Sequence, residues 1–188
     1  MKHFFYLSIS SFIMLGLLSF TPINGKLVSS KSHIKFFSST PVEDIEANNY
    51  KSVGTLNPET GDVVFSVPMQ SFEFKKSLMQ KHFNQDKFLD TKVHPKAKLI
   101  GKISNLNSIN FSKDGVYNAI VSGEMTIKGS TRPFNTNGTI TIHGDETKVN
   151  SKFNITLSEY GIEFVKGKPS KNISKVVEVT IDATFTAE

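Results

Sequence analysis

From His33 to the C-terminus, apolar residues recur at every second position, the period of strands with one buried and one wet face. The pattern is sharpest near the end, where Val177, Val179, Ile181, Ala183 and Phe185 alternate with Glu178, Thr180, Asp182 and Thr184. It recurs in Val149, Phe153, Ile155 and Leu157, and in Tyr117, Ala119, Val121, Met125 and Ile127, where Gly123 marks a bulge or bend. Further strands are predicted over Ile34 to Ser38, Ile45 to Leu56, Val63 to Met69, Ala97 to Leu106 and Thr136 to Ile142. Asn57-Pro58-Glu59-Thr60-Gly61-Asp62, Lys113-Asp114-Gly115 and His143-Gly144-Asp145 carry turn chemistry, so neighbouring strands pair antiparallel.

About eight strands at this spacing predict an all-β domain, first an extended antiparallel barrel and second a sandwich. A closed eight-stranded barrel has no exposed edges and leaves room for side chains or one small ligand. One stretch departs from period two. Near residues 74–90, Leu78, Met79, His82 and Phe83 fall at helical spacing and predict one short helix.

The N-terminus changes the picture of where this domain works. Lys2 precedes an uncharged, mostly apolar run from Phe4 to Phe20, followed by polar residues around Asn24 and Gly25. That order reads as a secretory signal peptide over residues 1–25, with the domain proper over 26–188 and an uncleaved anchor as the alternative. The chain has no cysteine, which excludes disulfides, thiol nucleophiles and Cys-linked lipid. Its formal charge of +5 is spread over scattered lysines with Arg132 the only arginine, not the basic stripe of a nucleic-acid binder.

Three segments resemble one family. Lys87 to Pro95, K-F-L-D-T-K-V-H-P, is similar to the D-F-F-D-x-x-K-Y-P stretch of YceI-like, polyisoprenoid-binding proteins. His82-Phe83, upstream of Asp90, match that family's D-x-H-L, and Gly123 to Phe134 resembles its G-x-L-T-x-x-G-x-T-x-P-V hairpin. Gln80 and His94 depart from the pattern, which has Asp and Tyr there. The resemblance implies a lipocalin-like barrel in the periplasm that holds an isoprenoid or fatty-acid-like lipid, without catalysis or cofactor. A carrier of that kind also implies transient membrane contact, and one flank of an extended barrel offers a homodimer surface.

On that resemblance, the aromatic and thioether cluster Phe65, Met69, Phe72, Phe74, Leu78, Met79, Phe83 and Phe88 is expected at the pocket mouth. Val121, Met125, Phe153 and Ile155 are expected in the cavity wall or floor. Ordinary core packing is the plain alternative for all of them. His82 is read either as a structural histidine bonded to a neighbouring loop or as a polar group facing a lipid head; Lys75, Lys76 and Lys81 are a solvated face able to attract an anion. His33, His82, His94 and His143 lack the spacing of a zinc site, and no nucleophile-elbow, Walker or H-E-x-x-H motif is present. Arg132 is expected to pair with a surface carboxylate. The competing functions are a side-chain-filled interaction barrel and a lipid hydrolase using His82 as general base.

Overall fold

A computed structural model describes residues 25–163 and 169–188. The expected signal segment lies outside these apart from Gly25, and no described helix is long and apolar enough to cross a membrane. Ten strands appear in order: β1 (Leu27–Ser39), β2 (Asp44–Asn49), β3 (Val53–Leu56), β4 (Asp62–Pro68), β5 (Glu73–Phe74), β6 (Lys96–Ile103), β7 (Gly115–Ile127), β8 (Ser130–His143), β9 (Glu146–Thr156) and β10 (Val176–Ala187). Helix α1 (Ser77–Asn84) lies between β5 and β6, and α2 (Pro169–Asn172) precedes β10.

The ring β10-β9-β8-β7-β6-β4-β3-β1 closes through the β1–β10 pairing, so the sheet is an eight-stranded antiparallel barrel and not a sandwich. β2 and β5 are extra strands that extend from β1 at one end. The hairpin turn between β7 and β8 uses Lys128 and Gly129 at φ 48° and 77°, both in the left-handed region that suits a tight two-residue connection.

Two irregularities keep apolar side chains inside. Leu27 and Ile34 are both buried although they stand at an odd offset along the chain, which puts them on opposite faces of a regular strand. A register shift between Ser29 and Lys31 against β10 inserts the extra residue and restores the phase. The expected strand Ile45 to Leu56 likewise breaks at Tyr50–Ser52, giving β2 and β3. Asn49, fully buried, explains the break: its amide donates to the Pro68 carbonyl at 2.8 Å, and its oxygen accepts from Lys51 N at 2.9 Å and Ser52 Oγ at 3.0 Å. Those bonds replace the ladder that the turn interrupts.

Other expectations need correction. Gly123 is not a bulge; it pairs in unbroken register with Gly101 on β6 and Phe134 on β8. A Cβ there would stand 2.2 Å from the Ile100 carbonyl oxygen and 2.4 Å from Gly101 Cα, so glycine is needed for close backbone approach. Met69 leaves β4 for a single 3₁₀ turn, and β6 ends at Ile103, with Leu106 beginning another. Arg132 donates to the carbonyl of Glu159 at 2.9 Å instead of pairing with a carboxylate.

The barrel is filled unevenly along its axis. At the end carrying the β3–β4 turn, Leu27, Leu56, Ile103, Ala119, Ile140 and Phe185 pack tightly, leaving a void of only about 40 Å³. The opposite half, beneath α1, is hollow.

Candidate functional site

The hollow half is a cavity of about 540 Å³. Its wall comes from inward positions of seven strands: Ile34 and Phe36 of β1, Ile45 of β2, Phe65 and Val67 of β4, Ala97 and Leu99 of β6, Met125 and Ile127 of β7, Phe153 and Ile155 of β9, and Val177, Val179 and Ile181 of β10. Phe65, Leu99, Phe153 and Ile181 also line the small void below, so they form the floor between the two halves.

The roof is built around Phe83. Met79 and Phe83, one helical turn apart, face inward from α1, and Phe83 is 7% exposed. Its ring meets Phe36, Phe72, Phe74 and Phe88 at centroid distances of 5.7, 5.6, 5.1 and 5.9 Å. An eight-residue helix is too short to persist alone, and Lys76 at its N-cap makes no side-chain capping bond. Docking through Phe83 therefore holds α1 in place.

The segment after α1 is pinned by polar contacts. Buried Thr91 donates from Oγ1 to Asn84 Oδ1 at 2.8 Å, Asn84 Nδ2 donates to the Gln80 carbonyl at 2.9 Å, and Met69 N donates to the Pro95 carbonyl at 2.9 Å. Asp90 takes φ 45°, a left-handed conformation that aspartate tolerates better than most residues, and its carbonyl accepts from His94 N at 2.8 Å. The motif residues Asp90 to Pro95 thus shape the loop that seats Phe88 and Leu89 over the cavity.

Of the thirteen expected pocket residues, eleven line this cavity: Phe65, Met69, Phe72, Phe74, Met79, His82, Phe83, Phe88, Met125, Phe153 and Ile155. Leu78 does not. One position of helical rotation from Met79 carries it outward, and it is 60% exposed. Val121 also stands apart, lining the small void at the packed end, because two residues of strand separate it from the level of Gly123 and four from Met125. Wall residues not singled out beforehand include Phe36, Val67, Val177, Val179 and Ile181. The period-two pattern of β10 contained the last three, but alternation alone does not separate cavity wall from filled core.

The polar rim is sparse. His82 stands exposed at the cavity edge, and its ring has no hydrogen-bond partner among the described residues. Gln85 and Lys87 follow it along the rim. Opposite, Glu43 accepts from Lys76 Nζ at 2.7 Å and from Asn172 Nδ2 at 3.0 Å, tying the β1–β2 connection to the start of α1 and the end of α2. The Lys76 bond first, and the Asn172 bond second, hold the Glu43 carboxyl below the usual carboxylate range. Lys81 is exposed on the helix surface, and Lys75 is exposed just ahead of the helix. The other histidines are dispersed: His33 meets Asn48 Oδ1 at 2.8 Å and His143 meets Asp114 Oδ2 at 3.1 Å. Among the described residues no three acidic or histidine side chains converge as a metal site.

Chemically, this is an enclosure for hydrocarbon with polar groups only at its opening. The fold has solved counterparts. Burkholderia cenocepacia BcnA superposes with a TM-score of 0.68 at 15% identity, covering 81% of this chain and 95% of BcnA. A polyisoprenoid binding domain from Saccharophagus degradans, implicated in plant cell wall breakdown, gives 0.74 at 14% identity over 87% of this chain and 98% of its own. The Campylobacter jejuni YceI protein gives 0.58 at 13% identity over 74% and 82%. At these identities the likeness is one of fold. No curated protein matches the chain. The sequence model of the YceI-like domain matches residues 26–185, nearly the whole described barrel with its roof, and this chain belongs to the YceI-like domain family.

Proposed function

We propose that this protein is an exported, non-enzymatic binder that sequesters or carries a polyisoprenoid or similar long-chain amphiphile in its barrel. The observation that carries this reading is the 540 Å³ apolar cavity beneath α1, in a barrel whose other half is packed solid. A chain that evolved only a filled interaction barrel has no need of a hollow half. The polyisoprenoid-binding description of the Saccharophagus degradans domain supports the same ligand class. The N-terminal order of Lys2, an apolar run and a polar boundary supports export to the periplasm.

Tail burial supplies the affinity. At ~0.8 kcal/mol per buried methylene, about ten carbons contribute ~8 kcal/mol, more than the few rim contacts can add. Hydrolysis with His82 as general base requires a nucleophile or held water within hydrogen-bond reach of the ring. The described surroundings of His82 offer no hydroxyl bonded to it, which favours binding over catalysis.

The test is native mass spectrometry of the protein purified from its own cell envelope, followed by denaturation to release and identify any guest. A one-to-one complex with a long-chain lipid, weakened when added lipids are shortened, is the expected result. A protein that carries nothing and takes up neither isoprenoids nor fatty acids refutes the carrier reading.

A further inference from the structure

Lysines are scattered along the chain, but their excess over carboxylates is not. Residues 75–98 carry seven lysines against two aspartates, an excess of five that equals the formal charge of the whole chain. All seven are exposed, and this segment is the roof of the cavity: α1 and the loop that seats Phe88 and Leu89. Lys76 is bound to Glu43; Lys75, Lys81, Lys87, Lys92, Lys96 and Lys98 have no acidic partner within ion-pair distance among the described residues. The remaining carboxylates on this side of the opening, Asp44, Glu73, Asp86 and Asp90, are too few to balance them. Apolar side chains stand among these cations. Leu78 points out from α1 with Lys75 and Lys81 three residues to either side and His82 one turn on at the cavity rim, so all four share the outer face. Val93 is exposed in the loop after α1, and Val42 is exposed next to Glu43, whose bond to Lys76 brings it to the start of the helix.

Building on the carrier reading, we infer that the outer face of α1 and the loop after it, with Val42 beside them, form a docking surface for an anionic phospholipid bilayer. Exposed aliphatics ringed by lysines suit the boundary between headgroups and acyl chains: Leu78, Val42 and Val93 enter it, and the ammonium groups lie among lipid phosphates. An acidic protein would satisfy the lysines, but the position of the surface favours the bilayer. The cavity opens beside this same helix face, at His82, Gln85 and Lys87, so a docked molecule holds its mouth against the membrane. A hydrocarbon tail then passes between bilayer and cavity without crossing water, which removes the cost of hydrating each methylene on the way.

The experiment floats the delipidated protein, purified from its own cell envelope, with vesicles of phosphatidylcholine alone or with about 30% phosphatidylglycerol, free of any guest. Binding is expected to the anionic vesicles only, and to be lost in about 1 M salt, where the screening length falls to about 3 Å. The double variant Lys75→Gln, Lys81→Gln should weaken it about 25-fold, at about fivefold per basic residue, and Leu78→Ser roughly tenfold. All three positions are exposed, so folding is not at stake. The double variant Lys113→Gln, Lys148→Gln removes two exposed lysines at the packed end and should bind like the parent. Uptake of cis-parinaric acid from solution, followed by its fluorescence, should be equal in all of them. Equal binding to neutral vesicles, equal loss in the two double variants, or no vesicle binding by a protein that takes up parinaric acid overturns the docking surface and leaves the carrier reading standing; the last result passes the lysines to an acidic protein partner. Vesicle binding without uptake of parinaric acid or octaprenol sinks the carrier reading and leaves the surface. Failure of both measurements overturns both.

Discussion

Replacing Phe83 with alanine is expected to release the roof while leaving the barrel folded. Phe83 is the one buried residue of α1, and its ring is the meeting point of Phe36, Phe72, Phe74 and Phe88. Truncating a buried phenylalanine costs ~3–5 kcal/mol. An isolated helix of this length is already unstable, so nothing intrinsic to α1 offsets that loss. The barrel is held separately, by continuous ladders from β1 round to β10 in which Phe83 takes no part. The change should therefore appear as local opening: a ~3–5 kcal/mol shift raises the undocked population by about two to nearly four orders of magnitude. Hydrogen–deuterium exchange followed by peptide is the assay. Amides from Gln80 to Asn84 should exchange ~100-fold or more faster, while those of β7 and β8 stay within about tenfold of the parent. A bound lipid should leave faster in the same variant. Unchanged protection in α1, or equal loss across β7 and β8, would falsify the separation of roof from barrel.

Other predictions follow from single contacts. Asn49→Ala leaves the Pro68 carbonyl and the buried Ser52 hydroxyl without their partner, and at ~1–3 kcal/mol for each unsatisfied group it should lower stability by about 2–6 kcal/mol in urea titration. Gly123→Ala drives a methyl into the Ile100 carbonyl and Gly101 Cα, backbone atoms that cannot yield; the loss should exceed the ~1–3 kcal/mol of ordinary overpacking, and a variant melting like the parent contradicts the close approach. The carboxyl of Glu43 titrates below its ordinary value because Lys76 and Asn172 donate to its charged form. A depressed folded value means that the contact is fully present above the ordinary carboxylate range and is lost as pH falls through the lowered one. Exchange at the start of α1 should thus quicken in acid in the parent and show a flat acid limb in Glu43→Gln, whose weaker contact does not titrate.

Much of the fold is legible from residue order because a strand with one buried face must alternate. Val177 to Phe185, Val149 to Thr156 and Tyr117 to Ile127 form strands where the period places them, with Leu157 leaving β9 for a 3₁₀ turn, and the short turns fix antiparallel pairing. The Phe72 to Phe88 cluster is legible too, since a run of aromatics at mixed spacing has no place in a regular wet-faced strand. Phase is what local pattern determines poorly. Leu78 and Met79 are equally apolar neighbours, and only the docking of Phe83 decides which of them faces the cavity and which the solvent.

Depth along the barrel axis is likewise absent from the sequence. Val121 and Met125 lie on the same inward face of β7, yet one meets the packed end and the other the hollow half. That difference depends on what six other strands place at the same level, as does the floor made by Phe65, Leu99, Phe153 and Ile181. Glu43, Lys76 and Asn172 meet across the rim from three distant segments, and no spacing rule connects them. Sequence determined the strands and the apolar character of the interior through short-range periodicity. Tertiary structure alone decided how much of that interior stays empty, because an internal volume is the remainder left after every strand has contributed its side chains to a shared space.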